Sequence, residues 1–304
     1  MGKRIGFVGL GVMGRPMALN LVAAQHTLTV FDLEPGPVEA LVEAGADAAG
    51  SAREAAERSD VVITMLPASR HVESAMLGPD GVVSGLRPGT TVIDMSTIDP
   101  GTTRRVAAAV EARGAKMLDA PVSGSSAAAA DGTLTIMVGG PEAVLDEQRD
   151  VLQVMGASVI HCGPSGMGET VKLCNNIVAG ISVVAVAEAF ALGLRAGADP
   201  RVMFDVMTKS TGNCWALQKR TPVAGVVDDV PANEEFAPGF MVDLMHKDLG
   251  LVMTAAAELR LPLALTAAAQ QMYALASAQG LGHKDFSAVF KVLEAALPSG
   301  EAEA

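Results

Sequence analysis

The sequence predicts an α/β chain with an N-terminal domain built on a mostly parallel sheet, followed by an all-α domain joined to it by a long helix. Three observations predict this. Strand-like and helix-like segments alternate from residue 3 to about 162, the pattern of a parallel sheet with helices on both faces. A glycine-rich turn, Gly9-Leu10-Gly11-Val12-Met13-Gly14, lies between an apolar run and an amphipathic segment. After Gly163-Pro164 the alternation stops, and Gly168 to about Arg195 is one helical pattern without proline.

Ile5-Gly6-Phe7-Val8 is the first strand, and Pro16 to Val22 belongs to the first helix. The turn between them has the spacing of a Rossmann-type dinucleotide loop. Gly9 permits the tight turn, Gly11 lets backbone approach a pyrophosphate, and Gly14 lets helix lie close on strand. The pyrophosphate would rest on the free N–H groups of the helix N-terminus, with Leu10, Val12 and Met13 as the other loop residues. Thr27 to Phe31 is the second strand, and Asp32 closes it, about 20 residues on as such a fold requires. A carboxylate there accepts from ribose hydroxyls and repels a 2′-phosphate. Leu33 and Glu34 follow, with no Arg or Lys for a phosphate. The expected cofactor is NAD.

Ser51-Ala52-Arg53-Glu54 is a capping-box pattern opening a short helix, and Val61 to Met65 is a buried strand. Thr91 to Asp94 is the next strand. Asp99 and Pro100 then read as N-cap and first residue of a helix that Gly114 can end. Met117 to Asp119, Leu134 to Val138 and Ser158 to His161 complete the strands. Beyond the long helix, which Gly197 stops, helical patterns cover 200–210, 239–259, 262–280 and 285–296, with a proline-rich loop over 221–238. The expected domains are 1–163 and 164–298, with a frayed tail over 299–304.

Composition narrows the partners. The 304 residues carry a net charge of −12, which disfavours nucleic acid and anionic membrane. Cys162, Cys174 and Cys214 lie far apart with no C-x-x-C, as expected of a reducing, cytoplasmic compartment. The five histidines show no metal-ligand spacing, so no metal is expected. The longest membrane candidate, Ile177 to Ala187, is 11 residues and too short to span a bilayer. The alanines of 126–130 form the one low-complexity tract.

In such sheets ligands bind beyond the carboxyl ends of the strands. Met65-Leu66-Pro67-Ala68-Ser69 and Ser96-Thr97-Ile98-Asp99 follow two of them and would line the nicotinamide half of the cofactor, although Ser69 and Asp99 also read as ordinary turn and cap residues. Ser123 and Gly124, after the sixth strand, pair a hydroxyl with a glycine-backed amide and suit a carboxylate. Lys172 lies one turn into the long helix, with Asn175 and Asn176 at i+3 and i+4, so Lys172 and Asn176 share a face. An easily deprotonated lysine there could exchange a proton with a substrate hydroxyl. Alone, it also reads as a solvated lysine at a domain junction.

These residues resemble the β-hydroxyacid dehydrogenases over nearly the whole chain. The resemblance rests on Phe7 to Met17, Asp119-Ala120-Pro121-Val122-Ser123-Gly124, Gly132 to Gly140, and Gly166-Met167-Gly168 with Lys172, Asn175 and Asn176. Met245 to Gly250 and Lys284 to Phe290 add to it. It implies that Lys172 is the catalytic lysine and that Ser123, Gly124 and Asn176 bind substrate, with Asp248 near it. By the same resemblance Leu66, Pro67, Thr97, Lys247 and His71 contact the cofactor, as Phe31 and Met65 do from their strand ends. Ser210 to Trp215 and Pro222 to Val226 look more like the hydroxyisobutyrate branch than the tartronate semialdehyde branch.

The implied reaction is NAD-dependent oxidation of 3-hydroxyisobutyrate to methylmalonate semialdehyde, a step of valine degradation, by a homodimer or homotetramer. L-serine or tartronate semialdehyde is the alternative substrate, and a cofactor-binding scaffold without catalysis the remote one. Imine reductases share the fold but generally carry another residue at the lysine position. One departure stands out, since Ser125 occupies a position where the family usually has glycine. A left-handed backbone there would strain a residue with a Cβ.

Overall fold

The computed structural model describes residues 2–294; the tail expected over 299–304 lies outside them. The chain divides into two compact units between Lys172 and Leu173.

The first unit holds nine strands: β1 (Arg4–Val8), β2 (Thr27–Phe31), β3 (Asp47–Ala48), β4 (Val61–Thr64), β5 (Thr91–Asp94), β6 (Lys116–Asp119), β7 (Val122–Ser123), β8 (Thr135–Gly139) and β9 (Ser158–Gly163). They form one sheet in the order β3-β2-β1-β4-β5-β6-β8-β7, with β9 against β8. Pairing is parallel from β3 through β6 and between β8 and β9, and antiparallel where β8 meets β6 and β7. The helices are α1 (Gly14–Ala23), α2 (Pro35–Glu43), α3 (Ala52–Glu57), α4 (Ser69–Leu77), α5 (Val82–Gly85), α6 (Pro100–Glu111), α7 (Ser126–Ala130), α8 (Glu142–Met155) and the start of α9 (Met167–Arg195).

The central strands read as continuous apolar runs because both faces are covered. Ile5, Phe7, Ile63, Ile93 and Leu118 pack on one side with Met17 and Leu21 of α1 and Leu145 and Leu152 of α8. Val8, Val62, Val92 and Met117 pack on the other with Ala55, Met76 and Val106. Burying an aliphatic side chain of this kind is worth about 1.5–3 kcal/mol. Helix starts follow local chemistry. Ser51 Oγ accepts from Glu54 N at 3.1 Å, while the Glu54 carboxylate accepts from Gly50 N at 2.8 Å, one residue upstream of a standard capping box. Asp99 caps α6 through Thr102 N, with Pro100 at its first turn.

The second unit contains the rest of α9, then α10 (Pro200–Thr208), α11 (Trp215–Arg220), α12 (Val242–Glu258), α13 (Ala264–Ala276) and α14 (Phe290–Glu294). Its core gathers Phe190, Leu217, Met245, Leu249, Tyr273 and Phe286, and the buried Tyr273 hydroxyl donates to Gly180 O at 3.0 Å. Several boundaries differ from expectation. The helix expected over 285–296 is a 3-10 turn, Phe286–Val289, followed by α14, and its last two positions lie outside the described residues. The pattern over 262–280 begins at Ala264 and ends in a π turn around Gly280, whose φ is 82°. The loop over 221–238 contains a 3-10 turn, Pro231–Glu234, and the alanine tract is α7.

The membrane estimate also needs correcting. By length and composition α9 is apolar enough to cross a bilayer, because the apolar pattern continues past Glu188 to Leu194. Glu188 is exposed, while Val183, Val184, Val186, Ala187 and Phe190 enter the core of the second unit.

Candidate active site

Within the first unit, the predicted cofactor residues line the carboxyl edge of the parallel strands. Gly9 has φ +96°, and a Cβ there would overlap the Met65 carbonyl. A Cβ at Gly14 would overlap the Gly9 carbonyl, so α1 can start against the turn only with glycine at both places. A Cβ at Gly11 would meet nothing within 4 Å, which leaves room for a ligand's phosphates beside bare backbone. The N-cap of α1 is Met13, which offers no side-chain acceptor, and its first turn carries no acid. A helix N-terminus of this kind is a ready anion site.

Asp32 follows β2 and is held in place. Its Oδ2 accepts from Leu10 N at 2.5 Å and its Oδ1 from Glu34 N at 2.9 Å. The glycine loop and the acid that follows Phe31 are thus joined by a hydrogen bond. These residues fit the pyrophosphate and ribose of a dinucleotide.

The next strand ends are stitched by a buried acid. Asp94, at the end of β5, accepts at Oδ1 from Thr64 Oγ1 (2.7 Å) and from Ser96 Oγ (2.6 Å). Ser96 Oγ in turn accepts from Leu66 N at 2.9 Å. Burial pushes the Asp94 carboxyl above its ordinary value. This lattice fixes the segments carrying Met65, Leu66, Pro67 and Thr97. His71 lies in the first turn of α4, and its Nδ1 is buried with no hydrogen-bond partner among the described residues. The open alternative for Asp99 resolves toward capping, since its two carboxylate oxygens accept from Thr102 N and Thr102 Oγ1.

Ser123 ends β7 and Gly124 follows with φ +146°. A Cβ at Gly124 would lie 2.7 Å from Leu134 Cδ2. The left-handed position is therefore Gly124, not Ser125. Ser125 is extended, with φ −83° and ψ 175°, and its hydroxyl accepts from Ala128 N to cap α7. The strain expected at Ser125 is absent because serine there is an N-cap, a place serine favours.

The start of α9 is bound to the same sheet edge. Asp119, at the end of β6, accepts from Gly166 N (2.7 Å) and Glu169 N (3.1 Å). Glu169 Oε2 accepts from Ile98 N at 3.3 Å. Burial pushes the Asp119 carboxyl above its ordinary value, and the N–H groups of Gly166 and Glu169 pull the other way. Lys172, one turn further, is only 6% exposed, so the solvated-lysine alternative does not hold. Sequence reasoning alone does not mark Asp94, Asp119 and Glu169 as site residues. Glu169 alone left a local signal, an acid in the first turn of a helix.

The second unit brings together the remaining candidates. Asn176 on α9 donates from Nδ2 to Asp248 Oδ2 on α12 at 2.6 Å, and its Oδ1 accepts from Asn175 Nδ2 at 3.1 Å. Lys247 Nζ lies 3.1 Å from Asp248 Oδ1. Asn176 and Asp248 are both buried. Among the described residues no cluster of His, Cys, Asp and Glu could hold a metal ion.

Comparison with known proteins adds to this geometry. A sequence model for the NAD-binding domain of 6-phosphogluconate dehydrogenase matches residues 4–163, and one for the NAD-binding of NADP-dependent 3-hydroxyisobutyrate dehydrogenase matches residues 166–293. A Pseudomonas aeruginosa protein named NAD-dependent L-serine dehydrogenase is 45% identical over 96% of this chain and 98% of its own. A 3-hydroxyisobutyrate dehydrogenase of the same organism is also 45% identical, over 95% and 97%. The solved Mycobacterium tuberculosis 3-hydroxyisobutyrate dehydrogenase with L-serine superposes with a TM-score of 0.92 at 43% identity, covering 96% of this chain and 99% of that one.

Proposed function

Because the chain belongs to the β-hydroxyacid dehydrogenase family, NAD-binding oxidoreductases that act on a CH–OH group, we propose that its substrate is 3-hydroxyisobutyrate, oxidised to methylmalonate semialdehyde. The observation that carries this reading is the buried Lys172, one turn into a helix tied to the end of β6, where the Ser123–Gly124 turn follows.

In this reading Ser123 and Gly124 hold the substrate carboxylate and so set the position of the β-carbon. Lys172 takes the hydroxyl proton and returns it in the reverse direction, and Asn176 orients the lysine or the hydroxyl. Asp248 fixes the Asn176 amide. Gly9, Leu10, Gly11, Val12, Met13, Gly14, Phe31 and Asp32 hold the adenosine and pyrophosphate. Met65, Leu66, Pro67, His71 and Thr97 serve the nicotinamide half, with Lys247 as a further cofactor contact. NAD, when bound, supplies the hydride acceptor. General acid–base catalysis of this kind contributes about 10²–10⁴-fold.

The second reading is L-serine, favoured by the 45% identity to the P. aeruginosa protein of that name. The two substrates differ at C2, methyl against ammonium. Turnover of both acids, followed by NADH absorbance at matched concentration, decides between them. A higher kcat/KM for 3-hydroxyisobutyrate supports the proposal, and a higher value for L-serine replaces it. The same reading places the enzyme in valine degradation, in the cytoplasm, as a homo-oligomer. Val178 and Leu192, 66% and 73% exposed on α9, support the last point.

A further inference from the structure

We propose that Asp119 is a positioning residue for Lys172, its carboxylate fixing the first turn of α9 and with it the place of the lysine one turn later. The proposal rests on the reading of Lys172 as the proton-exchanging group. Asp119 is fully buried, and both of its oxygens are used on the helix start, Oδ1 by Gly166 N and Oδ2 by Glu169 N. These are backbone N–H groups that the helix itself cannot satisfy, and a carboxylate is their strongest partner.

Two glycines make room for this carboxylate. A Cβ at Gly139, the residue paired with Asp119 across β6 and β8, would lie 2.5 Å from each carboxylate oxygen. A Cβ at Gly168 would lie 2.8 Å from Oδ2. The sheet and the helix are therefore both stripped of side chain where the acid sits. Glu169 gives the same turn a second tie, to Ile98 N beyond β5. The helix start is thus referred to two strand ends, β5 and β6. Displacement of a reacting group by about 1 Å can cost on the order of 10²-fold in rate, so a fixed helix start has a catalytic consequence.

A set of variants tests this: Lys172→Ala, Asp119→Ala, the double variant, and Gly139→Ala, whose Cβ crowds the carboxylate, and Gly168 N beside it, without removing the acid. We expect Asp119→Ala and Gly139→Ala each to lower kcat by roughly 10–10²-fold, with NADH affinity, read by fluorescence titration, kept within about twofold. Because Asp119 acts through Lys172, the double variant should turn over no more slowly than Lys172→Ala alone. Losses that multiply in the double variant overturn the proposal, as does a folded Asp119→Ala enzyme with wild-type kcat. Equal losses of kcat and NADH affinity also overturn it, since they indicate collapse of the strand ends. If Asp119→Ala does not fold, Asp119→Asn, which keeps the shape and one acceptor, takes its place beside Gly139→Ala. Wild-type turnover in Lys172→Ala would remove the catalytic reading and this proposal together, whereas multiplied losses remove only this proposal.

Discussion

Asn176 and Asp248 are joined side chain to side chain by a 2.6 Å hydrogen bond, both of them buried. The bond fixes which end of the amide is presented, because Asp248 accepts and leaves Asn176 Oδ1 to Asn175. Replacing Asn176 by Ala leaves Asp248 Oδ2 without this donor, at a cost of about 1–3 kcal/mol. Asn176→Asp should cost more, since it sets two carboxylates at hydrogen-bond distance. Thermal denaturation of the two variants should rank wild type above Asn176→Ala, and that above Asn176→Asp.

Lys172→Ala should lose about 10²–10⁴-fold in kcat. NADH affinity should be nearly unchanged, because the residues expected to hold the dinucleotide lie on other elements. Steady-state turnover beside fluorescence titration of NADH reads both quantities. Wild-type turnover would remove the lysine from the chemistry.

Asp32 does two jobs at once. It holds Leu10 N and Glu34 N, and in the proposed reading it would present negative charge to the ribose. Asp32→Ala should therefore weaken NAD binding and narrow the preference for NAD over NADP, since the repulsion of a 2′-phosphate goes with the carboxylate. The ratio of kcat/KM for the two cofactors measures it, and an unchanged ratio counts against the role.

Ser125 caps α7 from an extended backbone. Restoring glycine should cost only a few tenths of a kcal/mol, whereas Ser125→Ala should cost about 1 kcal/mol. Chemical denaturation of the two variants distinguishes this from the strained-serine alternative, under which glycine would stabilise.

Asp94 is buried, with its carboxyl raised above the ordinary value by desolvation. Below about pH 4 both folded and unfolded states hold the proton, and burial carries no penalty. As pH rises the unfolded chain ionises more readily than the folded one, and stability falls until the folded pKa is passed. Asp94→Asn keeps an acceptor for Thr64 and Ser96 and removes that titration. Its melting temperature relative to wild type should rise as the pH is raised above about 4. A difference that is flat with pH contradicts the raised carboxyl.

The first unit was legible because its signals are local. β2 and β5 keep the bounds expected of them, Thr27–Phe31 and Thr91–Asp94, because their signal lies within a few consecutive residues. The second unit was less so. The expected helix from 239 starts instead at Val242, because Gly239 N and Phe240 N are taken by Asp285, far along the chain. Asp285 also binds Ser287 N and Oγ, which tightens 286–289 into a 3-10 turn. No periodicity announces an acid that serves two segments. The same holds at the site. Lys172 and Asn176 pair by helical spacing, whereas the Asn176–Asp248 hydrogen bond spans 72 residues that only the family resemblance links, and Asp119 reads as no more than the end of a strand.

The sheet order has one more consequence. From Asp32 after β2 through the glycine turn, Leu66 and Thr97 to the segment after β6, the candidates follow adjacent strands one by one. Four inter-strand steps of about 4.8 Å make a span of roughly 19 Å. In the proposed reading, the strand spacing would act as a ruler laid along the ligand. In that reading, which dinucleotide is held and which acid is turned over would be read at opposite ends of it, as separate traits. A lineage of such enzymes can exchange one trait without re-inventing the other.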